Sequence, residues 1–292
     1  MENYDIIFIG QMGMGKIVPF EGPPFDELGS PLLFAAIAAS CLGKRIAAVT
    51  TISESEKYLL KPLMTAGVDL FLKPGETVQY RVIFPTPNVD ERQSFHIRGG
   101  GRIDEIPPFE PCLVHLCCIG VRGFQLDMLR ALKAQGFRLS VDMQGFVLQA
   151  DDEMGAIHLK DVPEKKEIVS MVDFVKLDAA EAQTLTEANV LQDQADILEN
   201  WGSSEIIITS SEGALARSKG KTTFAKFTNR STRGRMGRGD TVIGSYLAYR
   251  LDHSVEDSLR FAAALTSIKM ESPGPFTGSI EDVTERMVER ST

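Results

Sequence analysis

The chain has 292 residues, 43% of them hydrophobic and 24% charged, which is enough for one large α/β domain with a sizeable core. Its formal net charge of −9 argues against nucleic-acid and anionic-membrane partners, which need a positive footprint. Its opening, MENYDIIFIGQMG, lacks the features of an export signal, and no apolar run approaches the length of a membrane span. The four cysteines have no paired metal-ligand spacing and the four histidines lie far apart, so free buried thiols in the cytoplasm are expected.

In chain order, residues 6–9 form a short apolar run bounded by Gly10, as expected of a buried strand. The glycines between Gly10 and Gly15 invite a dinucleotide-binding reading. The extended, proline-broken stretch after them rules it out, since that fingerprint opens a helix. Gly29-Ser30-Pro31 starts a helix, with Ser30 as N-cap and Pro31 at its first position. A strand over 45–52, a helix over 58–66 and a strand from Gly67 continue the alternation.

Between residues 77 and 98 the pattern changes to period two: Val78, Tyr80, Val82 and Phe84 alternate with polar residues, predicting a hairpin. Alternation resumes with a strand over 113–119, a helix over 124–135 and a strand over 137–141. Asp142 and Gln144 follow at that strand's carboxyl end, where they serve as ligand contacts or as a strand cap. The next strand, 171–177, runs into Asp178-Ala179-Ala180-Glu181, which has the spacing of a capping box. A helix over 193–201, a strand over 205–209 and a hairpin across Lys219-Gly220 lead to the most informative stretch.

That stretch, TRGRMGRGDTVIGSYLAY over 232–249, joins a glycine-rich turn to a helix. Gly237 and Gly239 free the backbone to aim successive N–H groups at one anion. Val242, Ile243, Tyr246 and Leu247 recur at helical spacing behind them. Asp240 stands where the helix begins, as a plain N-cap or as a base beside the spot where a phosphoryl group lands.

This segment resembles the signature of the ribokinase-like (PfkB) carbohydrate kinases, D-T-x-G-A-G-D, in Gly237, Gly239 and Asp240, with Arg238 in place of Ala. The resemblance runs in order along nearly the whole chain. It implies one domain over 1–292, a three-layer α/β/α sandwich with a small β-lid from segments 14–27 and 74–104. It implies an ATP-dependent kinase acting on a hydroxyl of a small sugar, polyol or nucleoside. Asp240 would be the base, with the N–H groups of Gly237, Arg238, Gly239 and Asp240 as the anion hole. Glu181 would hold hydrated Mg2+ beside Asp178. Ser210, Glu212 and Gly213 fall in the nucleotide loop, with Ser210 where a Gly is usual, and Gln11, Gly29, Ser30, Asp142 and Gln144 fall at the substrate end. Pairing of two copies through the lid is a further expectation.

The chain departs from the family at Phe34, where an Asn is usual, at Gln11, and at Gly234, which replaces the Asp that helps many members bind potassium. The substitutions at Gly234, Arg238, Phe34 and Ser210 motivate an alternative, a catalytically impaired ligand-binding or regulatory protein. Gly234, flanked by Arg233 and Arg235, also predicts that arginines, Arg238 foremost, take over the electrostatic role of potassium and make activity independent of it.

Overall fold

The computed structural model describes residues 3–88, 90–119, 126–151 and 154–288. Strand β1 (Ile6–Gln11) lies inside a nine-stranded sheet and is buried along its whole length. Ile6 and Phe8 face one layer of helices and Ile7 and Ile9 the other, so both faces of the strand require apolar side chains. The chain then leaves this sheet for β2 (Gly13–Val18) and β3 (Phe25–Leu28). It returns through helix α1 (Pro31–Ser40), which Ser30 caps by accepting from the Leu33 amide at 3.1 Å.

β4 (Ile46–Thr51), α2 (Lys61–Thr65) and β5 (Asp69–Lys73) complete this edge. The helix predicted over 58–66 is shorter, because Pro62 has no N–H and fits only the first turn; residues 54–60 close as a 3-10 helix instead. β6 (Glu76–Ile83) and β7 (Gln93–Gly100) form the predicted hairpin, whose turn includes Val89, outside the described residues. They join β2 and β3 in a four-stranded sheet of order β3-β2-β6-β7, the lid.

β8 (Leu113–Leu116), α3 (Leu126–Ala134) and β9 (Arg138–Asp142) follow; the first residues of the helix predicted over 124–135 lie outside the described ones. Next come α4 (Gln144–Val147) and the small hairpin of β10 (Leu148–Ala150) and β11 (Ile157–Leu159), none of which shows a periodic signal in the sequence. α5 (Lys165–Met171), β12 (Phe174–Asp178), α6 (Ala179–Thr186), α7 (Leu191–Asn200) and β13 (Glu205–Thr209) carry the alternation on. β14 (Gly213–Ser218) and β15 (Lys221–Lys226) add an antiparallel edge before α8 (Arg238–Arg250), α9 (Val255–Met270) and α10 (Ile280–Val288).

The large sheet has the order β15-β14-β13-β12-β9-β8-β1-β4-β5. Strand order reverses at β1, whose neighbours are β4 and the much later β8, so a crevice opens there at the carboxyl ends of the strands. Helices α1, α8 and α9 pack on one face of the sheet and α3, α5, α6 and α7 on the other. Gly244 lets α8 approach α1 closely: a Cβ at this position would stand 2.1 Å from the Ala35 carbonyl oxygen. That close crossing brings the start of α8 to the crevice, under the lid.

Candidate active site

Helix α8 starts on Gly237, whose φ of +76° is left-handed and would strain any other residue. The ring of Phe34 packs beneath it, so near that a Cβ on Gly237 would lie 2.3 Å away. Asp240 is the third residue of the helix rather than its cap. The plain-cap explanation therefore fails. Of the amides expected to form the anion hole, that of Arg238 turns back to donate to the Arg235 carbonyl at 3.2 Å. Helix geometry leaves the amides of Gly239 and Asp240 without a partner inside the helix, where the helix dipole also favours an anion.

Asp240 borders a cavity walled by Gly29, Ser30, Gln144, Lys176 and Asp178, with Phe34, Tyr80 and Val82 as its apolar side. Burial pushes the Asp240 carboxyl up to about 6; Lys176 opposes that shift and Asp142 adds to it. Such a carboxylate is ionised at neutral pH yet basic enough to take a proton. Tyr80, from the lid, donates its hydroxyl to the Gly29 carbonyl at 3.1 Å and so fixes the lid strand β6 over this cavity.

Lys176 is a residue that sequence reasoning missed. It is only 3% exposed, in the middle of strand β12 between Val175 and Leu177, and its ammonium pairs with Asp142 at 2.9 Å. A charge inside a buried strand was the available signal, since such groups persist only with a partner.

A second cavity adjoins the first and is lined by Asp178, Glu181, Ser210, Arg92, Arg235 and Arg238. Asp90 of the lid pairs with Arg235 at 3.0 Å and with Arg238 at 3.1 Å. Burial works to raise the Asp90 carboxyl, but Arg238 and Arg235 more than offset it and hold the group below its ordinary value. Asp178 and Glu181 form a complete capping box: the Glu181 carboxylate accepts from the Asp178 amide at 2.7 Å, and the Asp178 carboxylate accepts from the Glu181 amide at 2.9 Å. Burial and the Asp178 carboxylate push Glu181 up to about 8. Two hard carboxylates that crowd one another on a cavity wall suit Mg2+, which keeps much of its water and takes few protein ligands.

Several predicted site residues stand elsewhere. Gln11 is 2% exposed; its amide donates to the Gly101 carbonyl at 3.0 Å and its oxygen accepts from the Ile119 amide at 3.2 Å, so it ties two loops together behind the cavity. Asp142 is fully buried, accepts from the Gln144 amide at 3.0 Å, and acts through Lys176 rather than at the cavity surface. Glu212 faces solvent, and Gly213 begins β14, packed against the Ala225 carbonyl. Both leave the nucleotide loop represented at the cavity by Ser210 and Ser211; the Ser210 hydroxyl accepts from the Glu212 and Gly213 amides at 3.3 Å. Arg238 does not reach the carbonyls of the glycine-rich turn, because its guanidinium pairs with Asp90. The ammonium of Lys269 takes those carbonyls instead, at Gly234 and Met236.

Residues 114–282 match the model of the pfkB family of carbohydrate kinases. The chain belongs to this family. It is therefore a kinase, and the binding-protein alternative is not favoured. It is 26% identical to the cytidine kinase of Thermococcus kodakarensis, over 88% of this chain and 92% of the relative. Among solved structures, it resembles the sulfate complex of a pyrophosphate-dependent kinase of the ribokinase family, at 28% identity and a TM-score of 0.87 over 96% of this chain and 99% of the other. A pyrophosphate-dependent kinase of that family, complexed with a pyrophosphate analogue and myo-inositol, gives 27% identity and a TM-score of 0.85 over the same shares. The three-layer ribokinase-like fold with its small β-lid is thus shared with these structures.

Proposed function

We propose that this kinase transfers a phosphoryl group from inorganic pyrophosphate to a hydroxyl of a compact cyclic polyol, with Asp240 as the base. The observation that carries the reading is the place of Asp240, on the wall of one cavity beside Gly239 and in the first turn of a helix whose first residue, Arg238, also lines the adjoining cavity. An acceptor seated against Ser30, Gln144 and Lys176 presents a hydroxyl to that carboxylate. The hydroxyl oxygen attacks the nearer phosphorus and its proton passes to Asp240. The bond from that phosphorus to the bridging oxygen breaks, and orthophosphate leaves with the electron pair. The amides of Gly239 and Asp240 meet the charge on the transferred group. Magnesium, held by Asp178 and Glu181, would neutralise donor charge.

The donor in this reading differs from the ATP that family resemblance implies. Arg92, Arg235 and Arg238 face the donor cavity, where Asp90 pairs with Arg235 and Arg238, and guanidinium forks suit a small donor whose charge is concentrated on two phosphoryl groups. Similarity to kinases described as pyrophosphate-dependent supports the same choice. The test is product formation from pyrophosphate or ATP, with Mg2+, across cyclic polyols, sugars and nucleosides. Turnover with ATP alone would overturn the donor assignment, and turnover confined to nucleosides, as the similarity to a cytidine kinase would favour, would overturn the acceptor.

The enzyme is assigned to the cytoplasm on the free state of all four thiols; no described helix is long and apolar enough to cross a membrane. Two copies are likewise assigned to pair through the lid, where Phe25 on β3 and Ile97 on β7 are exposed. Light scattering measures the latter.

A further inference from the structure

Lys269 lies near the end of α9, is 3% exposed, and sends its ammonium to the carbonyl oxygens of Gly234 and Met236. Two carbonyls two residues apart converge on one point only where the chain curls around it. Each peptide unit is planar and trans, so its C=O and the following N–H point in opposite directions. Holding the Met236 oxygen toward Lys269 therefore turns the Gly237 amide away from Lys269. The Gly234 amide donates to the Met270 carbonyl at 2.8 Å, a second tie between the turn and the end of α9.

The surroundings of this ammonium fit a resident cation. The Phe34 ring lies 4.6 Å from Nζ, close enough for a cation–π contact, and shields it from water. Burial lowers the Lys269 pKa to about 8, while Glu27 and Asp240 favour the charge and Arg235 opposes it. Arg235 and Arg238 are committed to Asp90, so they do not serve this spot. Nothing in the reaction described above uses Lys269.

Resting on the kinase reading of the same turn, we infer that Lys269 is a positioning residue, a tethered cation that holds the anion-binding turn in its working shape and makes activity independent of free monovalent cations. A mobile cation held by the same two carbonyls would be an alternative way to shape this turn; here the cation is covalently part of the chain.

The experiment measures initial rates at constant ionic strength, with tetramethylammonium exchanged for potassium or ammonium, on the parent, Lys269→Ala, Lys269→Met and Asp240→Asn. The parent rate should change less than about twofold. Lys269→Ala should lose about 10²-fold, the scale of losing one preorganised electrostatic contact in an active site, and should regain at least about tenfold with ammonium or potassium. The bulkier Met should lose rate without such rescue, and Asp240→Asn should respond to no cation. Potassium activation of the parent overturns the inference, as does a Lys269→Ala variant with undiminished rate or one that stays folded yet shows no rescue. Failure of the kinase reading looks different, with a parent inactive on every donor. The inference then rests on whether inorganic phosphate raises the melting temperature of the parent but that of Lys269→Ala only when ammonium is present. A phosphate response that is equal in both proteins, or absent from the parent, sinks it.

Discussion

The carboxylate of Asp90 in the lid and the guanidinium of Arg238 in the first turn of α8 stand 3.1 Å apart on the wall of the second cavity, the proposed donor site. The pair ties the lid to the first turn of α8, proposed above to receive the phosphoryl group. It also sets a competition, because a phosphate arriving at Arg238 must share or displace a carboxylate already there.

Loosening that tie should raise acceptor-independent hydrolysis of the donor, since a less closed lid admits water as the nucleophile. Asp90→Asn keeps the shape and removes the charge. For a contact worth about 1 kcal/mol, donor hydrolysis without acceptor should rise roughly fivefold, while the KM for pyrophosphate falls. Phosphate release assayed with and without acceptor measures both. Unchanged hydrolysis would make the pair a surface contact with no gating role.

Asp240→Asn should lower the turnover rate about 10²–10⁴-fold, because the amide keeps the shape but cannot accept the proton. Stability should move the other way. Burial raises the folded-state pKa from 3.8 to about 6, so the native state favours the protonated form. Ionising Asp240 therefore costs stability as pH rises through the window from about 4 to about 6, and the cost is fully present at pH 7.5. Calorimetry at pH 7.5 should find the variant melting no lower than the parent.

The same shift fixes an acidic limb. The base must be ionised to act, so kcat/KM with a saturating fixed donor should fall tenfold per pH unit below about 6. A limb near pH 4, the range of an unperturbed carboxyl, would separate Asp240 from the proton transfer.

Lys176→Met leaves the buried Asp142 carboxylate without its partner at 2.9 Å, and should cost about 3–5 kcal/mol of stability. Adding Asp142→Asn removes the stranded charge and keeps an acceptor for the Gln144 amide, so the double variant should melt close to the parent. Activity should stay low in both. Recovery of the rate together with the melting temperature would reduce Lys176 to a packing role.

Features that depend on neighbours along the chain were legible before any folding was considered. The period-two run through Tyr80 and Val82 foretold the lid hairpin, and the glycines at 237 and 239 before an apolar helix placed Asp240 in the turn where it stands. Ser30 and the Asp178–Glu181 capping box were legible for the same reason, since a cap is satisfied within three residues. Which polar groups face the cavities depends instead on how distant segments pack. Gln11 and Asp142 both end strands at the crevice, yet each is saturated by partners from other strands and loops and lies behind the wall. Lys176, Asp90 and Lys269 entered the site through contacts made across the fold; Asp90 meets Arg235 across 145 positions of the chain, and Lys269 meets Gly234 across 35. Local pattern fixes the conformation of a segment. The distance between segments is set by how the layers pack, and hydrophobic packing is too non-directional to announce, residue by residue, which distant charges it will bring together.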